Sequence, residues 1–410
     1  MNGQDSPSEE VKALHLLDEL ERILESDPLI DEVGFIHPSQ FVALSEEASS
    51  SADYETSSSG VLSNVNACFW NKDHKLGIST VALLPLYRAA KSAFMAAIKQ
   101  YKALSNSSSH DGIESEVRTH SRALLLLSCD FGTAWHSRKL VALKKHPLSM
   151  YMDELHLSAL VLSYAPKCEN AWSHRRWVIK SIAGRCPTLQ EILGKESELV
   201  EKIAERSKMN YRAWNHRCWL VPYMSTEQVL HELKKSRNWA GLHVADNSCF
   251  HYRRRLMLKL LDDSSDEDNP KIVSSGCTVE ILQLLKEELD WNEMLIKLYV
   301  GREGLWLHRR FLALVLIKRF LVHHASIDMN NDFGTFMDSE LHLLSSCSTV
   351  PDSHFEDHES QALFSATYML WLVKQIPEFH GIGFLKKLRA ENLESILNKA
   401  CSEKSFHWDF

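Results

Sequence analysis

A short cationic motif recurs five times along the chain, and an internal repeat constrains the architecture more than any single segment does. Its fullest form is Glu169-Asn170-Ala171-Trp172-Ser173-His174-Arg175-Arg176-Trp177. Asn210-Tyr211-Arg212-Ala213-Trp214-Asn215-His216-Arg217-Cys218-Trp219 and Gly304-Leu305-Trp306-Leu307-His308-Arg309-Arg310-Phe311 have the same skeleton. Trp135-His136-Ser137-Arg138-Lys139-Leu140 and Phe250-His251-Tyr252-Arg253-Arg254 are weaker copies. The shared core is an aromatic, two residues, an Arg and usually a second cation. Successive copies lie roughly 36 to 42 residues apart, a unit that suits two helices and two turns. The one longer interval, from Phe250 to Trp306, contains the acidic segment 262–277, which reads as a loop insertion.

Placed on a helix, Trp172, Arg175, Arg176 and Ile179 occupy positions i, i+3, i+4 and i+7 and share one face. Trp214, Arg217, Cys218 and Val221 repeat the arrangement, as do Phe250, Arg253, Arg254 and Met257, and Trp306, Arg309, Arg310 and Ala313. Apolar residues at i+5 (Leu140, Trp177, Trp219, Phe311) add a second apolar side, as expected of a helix packed between neighbours. Upstream of the motifs run further apolar stripes, among them Leu189, Ile192, Leu193, Val200 and Ile203, then Val229, Leu230 and Leu233, then Ile281, Leu284 and Leu285. No segment carries a convincing period-two alternation. The expected fold is all-α: an α-α superhelix, a crescent-shaped solenoid of antiparallel helix pairs.

Three regions follow. Residues 1–115 hold N-terminal helices, including 9–26 with its stripe Val11, Leu14, Leu17, Leu20 and Leu24, interrupted by the Ser-rich stretch 45–66 and the polar stretch 105–114, both expected as flexible loops. Residues 116–322 hold the repeats. Residues 323–410 read as degenerate capping helices, with a helix expected over 354–376 but no Arg pair.

An arginine on a buried seam needs a partner, because an unpaired buried charge costs several kcal/mol. Trp135, Arg138, Trp172, Arg175, Arg176, Trp214, Arg217, Phe250, Arg253, Arg254, Trp306, Arg309 and Arg310 are therefore read as repeat-structural residues. The first Arg of each copy is expected to bond carboxylates or helix-end carbonyls of the adjacent repeat. For the second Arg two uses stay open: the same packing role, or a surface that meets a protein or an anion. Asn170 and Asn210 stand where N-caps belong. His174, His216 and His308 are expected as hydrogen-bonded packing residues, with no metal.

The net charge of −8 argues against non-specific nucleic-acid binding. Nine scattered cysteines without a C-x-x-C pair are expected as reduced thiols of a cytoplasmic protein, and the paired spacing of a zinc site is missing. No apolar run is long enough to span a membrane, and neither an N-terminal signal segment nor a C-terminal prenylation box is present. There is no Gly-rich phosphate loop and no nucleophile elbow. Alone, the chain does not read as a complete enzyme.

The motif in units of this length resembles the repeat of protein prenyltransferase α subunits, most clearly over Pro166-Lys167-Cys168-Glu169-Asn170-Ala171-Trp172-Ser173-His174-Arg175-Arg176-Trp177 and over Asn210 to Arg217. The divergent N-terminal third and terminal units resemble the branch called protein prenyltransferase alpha subunit repeat-containing proteins. The resemblance implies an α subunit that wraps a catalytic β subunit, with the Rab geranylgeranyltransferase type as the implied partner. Zinc is then expected in that β subunit and no cofactor on this chain. The prenyl diphosphate would lie at the subunit interface, and the acceptor would be a protein with a C-terminal cysteine, receiving a geranylgeranyl or farnesyl group.

The resemblance also implies that Lys167, five residues before the repeat Trp, reaches the diphosphate. Tyr211 matches a family tyrosine, and Arg212 stands where the family has histidine and offers a cation. Glu169 replaces a family tyrosine and sets a carboxylate beside the expected anion. That replacement keeps a second reading open, a catalytically silent helical-repeat scaffold that binds a β subunit or another partner.

Overall fold

The structure, a computed structural model, describes residues 7–41, 43, 68–103, 111–145, 147–263, 275–322, 327–348 and 356–376. The Ser-rich stretch 45–66, most of the acidic insertion and the C-terminal segment 377–410 lie outside the described residues. Asp262 and Asp263 close one helix, and residues 275–277 open the next. The chain divides into two compact units, Met1–Trp219 and Leu220–Phe410.

The first unit opens with α1 (Pro7–Ser26). Its Leu17, Leu20 and Leu24 are buried, whereas Val11 and Leu14 of the expected stripe are exposed. Helices α2 (Leu83–Ala103) and α3 (Asp111–Leu127) pack on it. Thus residues 111–114, expected in a polar loop, begin a helix whose first turn carries Asp111 and Glu114, favourable charges at a positive helix end. Then come α4 (Gly132–Lys145), α5 (Leu148–Tyr164), α6 (Glu169–Ile182), α7 (Leu189–Arg206) and α8 (Tyr211–Leu220). Helices α3 and α4 pack as a pair, as do α5 and α6; α5 also contacts α3 and α7, and α4 contacts α6. Like helices therefore stack on like, the two-layer logic of an α-solenoid.

The purely helical expectation fails at one place. A three-stranded sheet sits in the N-terminal third, with β1 (Glu32–Ile36) parallel to β3 (Lys75–Ser79) and β2 (Phe69–Lys72) antiparallel to β3. The central strand, β3, buries four consecutive residues, Leu76 to Ser79, so it shows no alternation. The β2–β3 turn uses Asp73 and His74, both at positive φ (52° and 60°), and so lacks the glycine that advertises a hairpin.

The second unit begins with a 3-10 turn, Val221–Tyr223, where Pro222 removes a backbone donor. Helices α9 (Thr226–Leu242), α10 (Asn247–Asp263), α11 (Ser275–Leu298), α12 (Glu303–Val322), α13 (Ile327–Ser348) and α14 (Glu356–Gln375) follow. Ser225 caps α9 by accepting the Gln228 N–H at 3.2 Å. The pairs α9–α10, α11–α12 and α13–α14 form hairpins, and α12 packs on both α10 and α14. Leu230, expected on the buried stripe of α9, is exposed, and Val229 and Leu233 carry the contact. The fold is an all-α helical-repeat solenoid with one small appended sheet.

Candidate functional site

The repeated Arg and His close on a residue the motif does not contain. Arg138 of α4 donates through Nε and Nη2 to Glu154 of α5 at 2.8 and 2.7 Å. Glu154 Oε2, which takes the Arg138 Nε bond, also accepts from His174 Nε2 of α6, at 2.9 Å. Arg175 forks onto Glu196 of α7 in the same way, and His216 of α8 meets that carboxylate at 2.9 Å. In the second unit Arg253 and His308 share Glu288, and Arg309 and Tyr368 share Glu340. The guanidinium Nη1 is also satisfied. In Arg138, Arg175 and Arg253 it donates to a serine hydroxyl seventeen residues back and a carbonyl twenty residues back. Glu154, Glu196 and Glu288 therefore each stand between two consecutive motif helices, Glu340 stands between the last motif helix and α14, and all four take bidentate, charge-assisted bonds from one side. The aromatics run in step: Trp135 lies against His174, Trp172 against His216 and Phe250 against His308, with centroids 4.7, 5.0 and 5.3 Å apart.

Burial acts to raise the pKa of Glu154, Glu196 and Glu288, but the paired Arg and His outweigh it and hold all three at about 2. For His174, His216 and His308, burial wins over the adjoining carboxylate and pushes the pKa below the ordinary imidazole range. A neutral ring with its proton on Nε2 fits the geometry, since each Nδ1 is buried without a partner among the described residues. Protonation would place a second N–H where nothing accepts it. These rings are locking elements rather than general acids or metal ligands.

The second arginines diverge. Arg176 Nη2 reaches Glu169 at 2.5 Å, Arg310 lies over the Trp371 ring at 5.8 Å, and Arg254 is half-buried, with desolvation lowering its pKa.

The residues singled out by resemblance gather at the starts of α6 and α8. Lys167 lies exposed on the turn before α6. Tyr211, 68% exposed, opens α8 with Arg212 beside it. Asn210 holds the two turns together: its Nδ2 donates to the Pro166 carbonyl at 2.9 Å, and its Oδ1 accepts the Ala213 N–H at 3.2 Å. Asn210 is thus an N-cap and a clamp at once. Asn170 is not a cap. It sits inside the first turn of α6 and donates to the Asp130 carbonyl at 3.3 Å. Met209, just before Asn210, adopts φ 55°, a left-handed conformation unusual for its side chain. Glu169, at the head of α6, is paired twice, to Arg176 and to Arg212 Nε at 3.2 Å. Arg212 is therefore engaged with Glu169 rather than free to act as a separate cation.

Such a stack of arginine-clasped hairpins is the architecture of a prenyltransferase-α-type helical-repeat protein. The model of the protein prenyltransferase alpha subunit repeat matches residues 151–182 and 193–224, which cover α5–α6 and most of α7 through the 3-10 turn after α8. The chain is 30% identical over 315 residues to Protein prenyltransferase alpha subunit repeat-containing protein 1 of Homo sapiens, covering 61% of this chain and 76% of that one. It is 33% identical over 226 residues to Protein prenyltransferase alpha subunit repeat-containing protein 1-B of Xenopus laevis, covering 46% and 52%. A more distant match, 24% over 145 residues, is Geranylgeranyl transferase type-2 subunit alpha of Candida albicans, with 32% and 38% covered. The chain belongs to the protein prenyltransferase alpha subunit repeat family, in the branch of the repeat-containing proteins. No helix among the described residues is long and apolar enough to cross a membrane.

Proposed function

We propose that this chain is the α subunit of a heterodimeric protein prenyltransferase, inactive without a β subunit of the Rab geranylgeranyltransferase type. In the reaction the bond between the prenyl carbon and the diphosphate oxygen breaks, a thioether forms to a cysteine near the C-terminus of the acceptor protein, and diphosphate departs. The β subunit is where zinc and the isoprenoid belong. This chain's part is to meet the departing charge: Lys167, ahead of the α6 N-terminus, faces an anion with the helix dipole behind it. One preorganised contact of that kind is typically worth ~10²–10³ in rate.

The observation that most directly supports this reading is the double pairing of Glu169. A free carboxylate next to Lys167 would repel a diphosphate. Held by Arg176 and Arg212, it leaves a local excess of positive charge around Lys167, with Tyr211 exposed alongside.

Co-expression with candidate β subunits tests the reading. The expected result is a one-to-one complex that geranylgeranylates or farnesylates a cysteine-ended acceptor. A stable complex without turnover supports the scaffold instead, and failure to co-purify with any prenyltransferase β subunit overturns the subunit role.

A further inference from the structure

We propose that Cys129, Asp130 and Cys168 form a binding site for a divalent cation of the zinc class, built on the turns inside two successive hairpins of the first unit. Their ligand atoms lie within 4.8 Å of one another. Cys168 Sγ is 3.7 Å from Asp130 Oδ1. A tetrahedral zinc with bonds near 2.3 Å to sulfur and 2.0–2.2 Å to oxygen separates two such ligands by about 3.5 Å. The Cys168–Asp130 separation already matches that value, and the remaining ligand pairs, within 4.8 Å, need to close by no more than about 1 Å.

The turns are fixed by other bonds. The Cys129 carbonyl accepts the Trp135 indole N–H at 2.8 Å, and the Asp130 carbonyl accepts Asn170 Nδ2 at 3.3 Å. Cys168 is anchored by its N–H to the Ala165 carbonyl at 3.0 Å. Exposure is graded, with Cys168 buried, Cys129 half-buried and Asp130 exposed, so water can supply a fourth ligand from the Asp130 side. Cys168 is also the N-cap residue of α6, where the helix end favours a thiolate. Without a cation, burial pushes the Cys168 thiol up to about 12 and raises that of Cys129. A divalent ion reverses this by binding both sulfurs as thiolates and releasing their two protons to solvent. Because Cys129 and Cys168 stand 39 residues apart, no local spacing motif reveals the site. Bound, the ion would tie the α3–α4 turn to the α5–α6 turn.

The test uses the full chain, reduced and stripped of metal, with cobalt(II) as the probe. The expected result is uptake of about one equivalent, with sulfur-to-cobalt charge-transfer absorption, release of about two protons, and displacement by zinc. Cys129→Ser and Cys168→Ser should each diminish the charge-transfer band. Asp130→Asn, on an exposed side chain, should weaken affinity by about tenfold or more while the fold stays intact. Cys186→Ser should change nothing. If Cys168→Ser does not fold, Cys129→Ser and Asp130→Asn still decide the matter. No cobalt uptake by the reduced wild-type chain overturns the proposal, as does a charge-transfer band that survives in both cysteine variants. An oxidised Cys129–Cys168 pair that binds no cobalt after reduction also overturns it, in favour of a redox pair.

Discussion

Arg175 and Arg176 are consecutive residues, each facing a glutamate, yet the two ion pairs belong to different kinds of structure. Arg175 and Glu196 are 4% and 3% exposed. Arg176 and Glu169 are 20% and 51% exposed. One residue along a helix is a turn of about 100°, enough to move a guanidinium from the seam between helices to the rim. In the seam, desolvation makes partnership obligatory, and Arg175 donates from both guanidinium edges, to Glu196 on one and to Ser158 and the Leu155 carbonyl on the other. At the rim water screens the pair, so its worth to stability is small and its charges remain available to a ligand.

The largest expected effect breaks the seam. Glu196→Ala strands Arg175 and His216 in the interior and should cost about 3–5 kcal/mol in urea unfolding. Replacing the whole cluster with apolar residues, Arg175→Met with Glu196→Leu and His216→Phe, should recover much of that loss, because the penalty lies in the uncompensated charge. If Glu196→Ala unfolds like the wild type, the seam and the rim are not different after all.

Next comes the rim itself. In the reconstituted heterodimer, Lys167→Ala should lower turnover by ~10²–10³ while leaving the unfolding midpoint and the complex unchanged. Single-turnover kinetics at saturating prenyl diphosphate check it. Unaltered turnover with assembly intact would remove Lys167 from the mechanism.

The third test is acid. His174, His216 and His308, all buried, and the surface His251, which also lies beside Arg254 and Arg255, have folded pKa values lowered first by desolvation. A depressed group contributes stability that is complete above its unfolded pKa, about 6.5 for imidazole, and is lost as pH falls through the folded value. His120, raised by its bond to Glu21, acts in the opposite sense, one group against four. Thermal midpoints should therefore fall from pH 7 to pH 5. A second decline belongs to Glu154, Glu196 and Glu288, whose contribution is complete above about pH 4.3 and lost on the way to 2. A midpoint that rises on acidification to pH 5 contradicts the neutral, buried imidazoles.

The motif helices were legible in the sequence because one face repeats its aromatic and its arginine. Glu154, Glu196, Glu232 and Glu288 were not picked out, since an isolated glutamate on an amphipathic helix looks like solvated charge. A signal does exist: each stands twenty residues before the motif His, or before Tyr252 in the fourth copy. Lining the copies up on the histidine, rather than reading each alone, exposes it. The register stretches in the last hairpin, where Tyr368 follows Glu340 by 28, so that α13–α14 looked like caps although Arg309 clasps Glu340 as the earlier arginines clasp theirs. The sheet escaped because its central strand is buried on both faces and its two edge strands are only five and four residues long, too short to show a period. At the rim, Lys167, Tyr211 and Arg212 came from resemblance, and the pairing of Arg212 with Glu169 depends on two turns brought together by Asn210, which no local pattern encodes.

The smallest expected effect sharpens the contrast most. Glu169→Gln keeps the side chain's shape at the head of α6 but removes its charge, releasing both Arg176 and Arg212. Because the pair is exposed, stability should shift by no more than about 1 kcal/mol. The electrostatic gain at Lys167 is screened to about the same size, so affinity for prenyl diphosphate should rise by up to about fivefold at low salt and fade as ionic strength increases. Two measurements on one variant then separate the regions: urea unfolding reads the seam, and the salt dependence of diphosphate binding reads the rim. A Glu169→Gln chain that loses several kcal/mol would make Glu169 another Glu196, and the repair of charge around Lys167 would be a by-product of packing.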